Sequence, residues 1–375
     1  VADEAYRRYD FIDSIRGIGA LCVVFEHVLG ILVKHMGPAQ SDFADLVSTY
    51  FSFGKFGVDL FFIVSGSVVP FSLKGRPSEG LDNFIISRVC RLYPVYWLSV
   101  LAASWLIAYQ LEPGAGLKDV FIDLTLVNLS MLQQFVGVQN LLPAYWTLQI
   151  ELIFYVFCGF VFFTGQLQRT GLIFAYAVFF WASAFGIATA AFFQWGFSLP
   201  ITIPCGLAMM CFGLLFRRGF FDQEAAAKFY AYWFLALFIV SIPCITFFAY
   251  GRETDWRGHW YIFTMSYLGA LAAFILLTTR LKIRFGVFVW MGRVSYSAYL
   301  FNPIVIFLYK ETLGDAFYRV PLAFHFAVIP LLVFGLSHFL FKYVEAPGIA
   351  LGRKIILARR RRVDSMPEAF PHPHQ

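Results

Sequence analysis

Charge is scarce in this 375-residue chain: Asp, Glu, Lys and Arg together make up 14% of it, against about a quarter in ordinary soluble domains. With 59% of the residues hydrophobic and a mean hydropathy of +0.69, a soluble globule is excluded, because too few polar groups remain to cover one. Cysteine is sparse as well. Cys22, Cys158, Cys205, Cys211 and Cys244 lie in apolar runs and Cys90 sits near a basic segment. No pair has metal-site spacing, so neither a disulfide framework nor a bound metal is expected. The formal net charge of +6 is dispersed between apolar runs and not gathered into a patch, which removes nucleic acid as a partner. No small-residue cleavage site follows the first apolar run, so that run is expected to be retained as a span. No internal repeat is visible.

What the chain has in quantity is aromatic side chains, with 46 Phe, 19 Tyr and 9 Trp. That suits helices in lipid with aromatic belts at both interfaces. Apolar runs near the ~20 residues that a bilayer requires stand at 14–34, 49–73, 92–110, 145–163, 171–190, 197–216, 229–250, 259–279, 286–309 and 321–343. The expected fold is therefore all-α and integral to the membrane, about ten transmembrane helices in one bundle. A further stretch, Val120 to Phe135, carries Asp123, Asn128, Gln133 and Gln134 and reads as an interfacial or re-entrant segment. With the N-terminus inside, roughly 20 of the 29 Lys and Arg fall in cytoplasmic segments. An eleventh span at Val120 to Phe135 would turn Arg217, Arg218 and the run Arg359 to Arg362 outward. Both termini are thus expected in the cytoplasm, with residues 1–350 forming the membrane domain and 351–375 a basic, disordered tail.

An ionisable group inside a span costs at least ~2.5–3.5 kcal/mol, so each one needs a partner, a wet cavity or a function. The first span carries Arg16, Glu26 and His27, the second Lys55 and Asp59, the fourth Glu151, and the ninth starts near Arg293. Arg16 and His27 are eleven residues apart, about 1100° of helix, so they share a face roughly 16–17 Å apart. Arg16 could simply snorkel to phosphates and His27 bond a neighbouring helix. Arg88 and Arg91, spaced i, i+3, face one way at the same mouth as Arg16. Such a pair suits phosphate, although it would also serve as a positive-inside anchor. Glu151 and Tyr155 are i, i+4 neighbours that can share a cavity wall, while Lys55 and Asp59 at the same spacing can neutralise each other.

Five segments in this order resemble the acyltransferase-3 family, bacterial membrane O-acyltransferases that decorate cell-surface polysaccharides and some secondary metabolites. They are Arg16-x10-His27; Phe56-Gly57-Val58-Asp59-Leu60-Phe61-Phe62 running on to Gly66; Arg88-Val89-Cys90-Arg91-Leu92-Tyr93-Pro94; Trp146-Thr147-Leu148 through Glu151 to Tyr155; and Ser295-Tyr296-Ser297-Ala298-Tyr299-Leu300. The resemblance implies an acyl donor, usually acetyl-CoA, entering from the cytoplasm. It also implies a carbohydrate hydroxyl as acceptor towards the outer face, and a multi-pass place in the inner membrane. The family's Arg and His of the first span fall on Arg16 and His27, its paired arginines on Arg88 and Arg91, and its acidic residue of the fourth span on Glu151. One departure is visible: many members have a His soon after the Ser-Tyr-Ser segment, where this chain has Asn302.

The chemistry agrees with that assignment. Coenzyme A carries phosphates at one end and a thioester at the end of a long arm, so its site needs cations at the mouth and a base deep inside. Arg16, Arg88 and Arg91 meet the first need and His27 the second. His27 can act as general base, with Glu26, Asp59 or Glu151 holding the imidazole, or as a nucleophile that forms an acetyl-imidazole. The candidate site is thus His27, Glu151 and Asp59 for chemistry and Arg16, Arg88 and Arg91 for the donor. A transporter or flippase is the alternative, since intramembrane charges also mark substrate pathways, but it usually shows repeats or paired broken spans. The topology has a direct test. In a Cys-less background, a reagent added from outside should label Ala115→Cys and spare Ser78→Cys; the reverse pattern would overturn the assigned direction.

Overall fold

The computed structural model describes residues 10–35, 50–110, 124–194, 200–252 and 259–364, and every regular element among them is helical. Inside lipid each backbone polar group must be satisfied within its own segment, which makes the helix the spanning form here. The principal helices are α1 Asp10–His35, α2 Phe53–Val68, α3 Pro77–Gln110, α4 Tyr145–Phe163, α5 Thr170–Phe192 and α6 Thr202–Phe216. They continue as α7 Ala225–Tyr250, α8 Trp260–Leu276, α9 Gly286–Arg293, α10 Ser295–Leu313, α11 Leu322–Leu340 and α12 Ala346–Asp364. Short π segments extend α6 over Arg217–Phe221 and α8 over Leu277–Leu281, and Phe341–Glu345 joins α11 to α12.

Among the described residues nine helical stretches are long and apolar enough to cross a membrane, in keeping with nine of the ten expected runs. The chain is an all-helical, multi-span membrane protein. The run 286–309 differs from expectation. It is not one helix: α9 stops at Arg293, the chain turns at Val294, and α10 starts at Ser295. α10 has the length of a span at 19 residues. Its inner side buries Ser295, Ser297 and Asn302 completely, so it is less apolar than a span facing lipid. Two helix ends also move. α3 begins at Pro77, well before residue 92, so Arg88 and Arg91 lie inside a helix and not ahead of one. α12 stays helical to Asp364, past residue 351 where the tail was expected to begin, and its Arg359 and Arg360 pair with Asp82 and Glu79 of α3. Residues 365–375 lie outside the described residues.

Of the segment Val120 to Phe135, residues 124–129 form a short helix that ends in a turn at Met131, where φ is 65°. Asn128, fully buried, closes this excursion: Nδ2 donates to Leu124 O and Gln139 O at 2.8 and 3.0 Å, and Oδ1 accepts from Leu141 N at 3.1 Å. Tyr93 Oη and Trp97 Nε1 of α3 donate to Ser130 O and Leu129 O, each at 3.0 Å. The described part therefore folds back against α3 and does not cross.

Close backbone approach sets the helix packing around the centre. A Cβ on Gly66 of α2 would stand 1.8 Å from Met210 O of α6, so only glycine fits that crossing. Gly66→Ala should then force α2 and α6 apart. The cost expected is that of overpacking, about 1–3 kcal/mol, read as a lower thermal midpoint of the purified protein in detergent. An unchanged midpoint would mean that the two helices part freely.

Candidate active site

A cavity with about 800 Å³ of atom-free space, its open mouth included, lies between α1, α2, α3, α4 and α10. Arg16, Arg88, Arg91 and Glu151 all line it, so the bundle brings together four of the six residues singled out in the sequence. Each arginine is held differently. Arg88 Nη2 donates to Ser72 Oγ at 3.0 Å, and its guanidinium lies 5.3 and 5.4 Å over the rings of Tyr155 and Phe84, a cation–π setting that fixes the plane of the fork. Arg91 Nε is 3.8 Å from Glu345 Oε1, and Ser297 Oγ donates to Glu345 Oε2 at 3.2 Å. Arg16 makes no side-chain hydrogen bond among the described residues. The Nε atoms of Arg88 and Arg91 are buried without hydrogen-bond partners. The wall thus carries guanidinium donors to spare, suited to a multiply charged anion.

Glu151 faces the same space. Tyr155 Oη donates to its Oε1 at 2.6 Å, as the i, i+4 spacing on α4 expects, and Ser65 Oγ of α2 adds a bond at 3.3 Å. One turn along the same face of α4, Thr147 Oγ1 donates to Tyr299 Oη of α10 at 2.7 Å, and the Tyr299 ring stands edge-on to Phe61 at 5.9 Å. The apolar and aromatic lining with a few convergent polar groups is the usual character of a small-molecule site.

His27 and Asp59 are not on this cavity's wall. His27 lies three turns further along α1, about 16–17 Å from Arg16 by helical rise, half-buried, with its Nδ1 hydrogen-bonded to Asn302 Oδ1. None of the three carboxylates considered for the imidazole holds it. Glu26 Oε2 instead accepts from Phe53 N and Gly54 N at 3.1 and 3.4 Å, capping the start of α2. Asp59, fully buried, is paired with Lys55, whose ammonium sits 3.7 Å over the ring of Tyr267. Glu151 belongs to the cavity. Asn302, the position that departs from the family pattern, is the imidazole's partner. Glu345 was missed in the sequence because it lies two residues beyond the last apolar run, 321–343, although a carboxylate so close to a span end invites the same question as Glu151. Among the described residues no group of His, Cys, Asp or Glu is placed to hold a metal ion, and all six cysteines are unpaired.

A family model described as an acyltransferase domain, that of the acyltransferase-3 family, matches residues 9–340. The chain belongs to that family. It is 34% identical over 128 residues to "Exopolysaccharide production protein ExoZ" of Rhizobium meliloti (strain 1021), a stretch covering 32% of this chain and 38% of that protein. It is 31% identical over 119 residues to "Protein 2 in picA locus" of Rhizobium radiobacter, covering 30% of this chain and 54% of that protein. The chain therefore spans about half or less of the length of these relatives. No solved structure shows a significant match.

Glu345→Ala should unseat Arg91 and leave its guanidinium near the cavity without a counter-charge. Breaking a buried pair by removing one partner commonly costs about 3–5 kcal/mol, to be read as a lower midpoint of unfolding. Glu345→Gln, which keeps an acceptor for Ser297, should lose less. Equal stability of both variants with the parent would remove Glu345 from the support of Arg91.

Proposed function

We propose that the protein moves an acyl group, acetyl by preference, from an acyl-CoA to a hydroxyl of a cell-surface or lipid-linked carbohydrate. The observation that carries this reading is the single cavity in which Arg16, Arg88 and Arg91 converge, with His27 three turns deeper on the face of Arg16. The arginines hold the phosphates of the donor at the cytoplasmic mouth, and the thin pantetheine arm runs along α1 towards His27. The distribution of Lys and Arg supports this orientation, and we read the protein as crossing the inner membrane with the acceptor arriving from outside. A relative whose name refers to exopolysaccharide production supports carbohydrate as the acceptor. The acyltransferase domain over residues 9–340 supports this reading over a transporter or flippase.

In the reaction His27 takes the proton of the acceptor hydroxyl as its oxygen attacks the thioester carbon. The O–C bond forms, the C–S bond breaks, and the thiolate leaves with the coenzyme. The nucleophilic route, in which the imidazole first accepts the acyl group, uses the same residue. Glu151, held by Tyr155 and Ser65, shapes the donor cavity and tempers its positive charge. Asp59 acts through its pair with Lys55 at the start of α2.

His27→Ala should abolish transfer in an assay with labelled acetyl-CoA while the protein still purifies and binds the donor. The loss expected is at least the 10²–10⁴-fold of general-base assistance. Arg88→Ala and Arg91→Ala should mainly raise KM for acyl-CoA, with Lys recovering part of the loss. Saturating acetyl-CoA should raise the parent's thermal midpoint, since a ligand at 100 times its Kd adds ~2.7 kcal/mol to the folded state. Near-normal turnover without His27, or no thermal shift with any acyl-CoA, would defeat this reading.

A further inference from the structure

We propose that Asn302 is a positioning residue that holds His27 as the Nδ1–H tautomer and so makes Nε2 the reacting nitrogen. This deepens the acyltransferase reading and rests on it. The two ends of a carboxamide are told apart by what they face. Asn302 Nδ2 faces Tyr299 O at 2.8 Å and Ala298 O at 3.2 Å, on the preceding turn of α10. Carbonyl oxygens only accept, so the group facing them is the NH₂. Oδ1 is thereby turned to His27 Nδ1. An amide oxygen also only accepts, so Nδ1 carries the proton and the lone pair lies on Nε2.

The amide is locked by the next residue. Pro303 lies inside α10 and has no N–H. The carbonyl it would have served, four residues back, is Tyr299 O. In a buried membrane helix that oxygen needs a donor from elsewhere, and Asn302 Nδ2 supplies it at 2.8 Å. Turning the fully buried amide over would leave Tyr299 O with no donor and set oxygen against oxygen. The pair Asn302-Pro303 therefore performs one task together: the proline creates a vacancy in the helix ladder, and filling it aims the amide oxygen at the imidazole. Among the described residues nothing bonds Nε2, which leaves it open to an acceptor hydroxyl or a thioester. Glu26 and Asp59, two of the carboxylates considered for the imidazole, cannot take over, because Glu26 caps α2 and Asp59 is paired with Lys55. In either chemical route the bond to hydrogen or carbon forms at Nε2, while the Nδ1 proton stays on the hydrogen bond to Asn302.

The test begins with ¹⁵N-histidine-labelled protein in detergent, with the His27 signals assigned by their loss in His27→Gln. The expected result is a protonated Nδ1 and a bare Nε2; a bare Nδ1 in the parent would overturn the proposal whatever the activity. Two double variants then separate positioning from helix stability, since Pro303→Ala returns a backbone N–H to Tyr299 O. Asn302→Leu with Pro303→Ala should keep the parent's thermal midpoint and its KM for acetyl-CoA, yet lose about 10²–10⁴-fold in kcat. Asn302→Asp with Pro303→Ala, which restores an acceptor for Nδ1, should recover the Nδ1–H signal and most of that loss. Parental kcat in the Leu variant would sink the positioning role. If His27→Ala itself keeps its turnover, the acyltransferase chemistry assigned to His27 fails, and the ¹⁵N signals still report whether Asn302 sets the tautomer.

Discussion

A guanidinium inside a bilayer is expensive, at least ~2.5–3.5 kcal/mol even on the lenient insertion scale, and this bundle turns three of them onto one cavity. Much of the surrounding structure follows from making that tolerable. Arg88 requires Ser72 and the faces of Phe84 and Tyr155, which joins the end of α2 to α3 and α4. Arg91 requires Glu345, which brings the end of α11 against α3 and enlists Ser297 of α10. Elsewhere in the membrane Asp59 has Lys55, Glu151 has Tyr155 and Ser65, and Glu26 has the first amides of α2. Arg16 stands on the cavity wall without a side-chain hydrogen bond among the described residues.

Three departures from regular helix lie beside residues of the candidate site. The π segment Phe341–Glu345 ends on the carboxylate that meets Arg91, in line with the tendency of such segments to occur at functional sites. Pro94, shortly after Arg91, leaves Cys90 O without its helical donor; a Cβ on Gly348 would stand only 2.3 Å from that oxygen, so α12 approaches α3 where the ladder is interrupted. Pro303 does the same for Tyr299 O and is answered by Asn302. These three interruptions thus lie beside the contacts of Arg91 and His27, while the π segments Arg217–Phe221 and Leu277–Leu281 and the prolines Pro243 and Pro330 fall elsewhere in the bundle.

The helical bundle, nine of the ten expected spans and the four cavity residues were legible along the chain because each depends on local quantities: run length, hydropathy and the 3.6-residue period. Arg88 and Arg91 at i, i+3 and Glu151 with Tyr155 at i, i+4 are of that kind, and both pairs are on the cavity wall. The run 286–309 was misread as one helix because hydropathy does not register the turn at Val294, and α10 is polar on the side it buries. Glu345 escaped, and the role of Asn302 stayed open, because their partners lie far away in the chain, at Arg91 and His27. Glu26 and Asp59 were candidate partners for the imidazole as acids within the spans, but the start of α2 and Lys55 engage them.

By itself, then, the sequence determined that the chain lives in a membrane as a helical bundle and which ionisable residues that membrane must accommodate, since insertion depends on composition summed over each run. Tertiary structure alone decided which of those residues meet. Arg16, Arg88, Arg91 and Glu151 come from three helices and share one cavity, whereas His27 looks to α10 for its partner. The physical reason is that a hydrogen bond or ion pair requires approach within about 3–4 Å. Helices distant in sequence reach such distances only through the packing of their small residues and the breaks in their ladders.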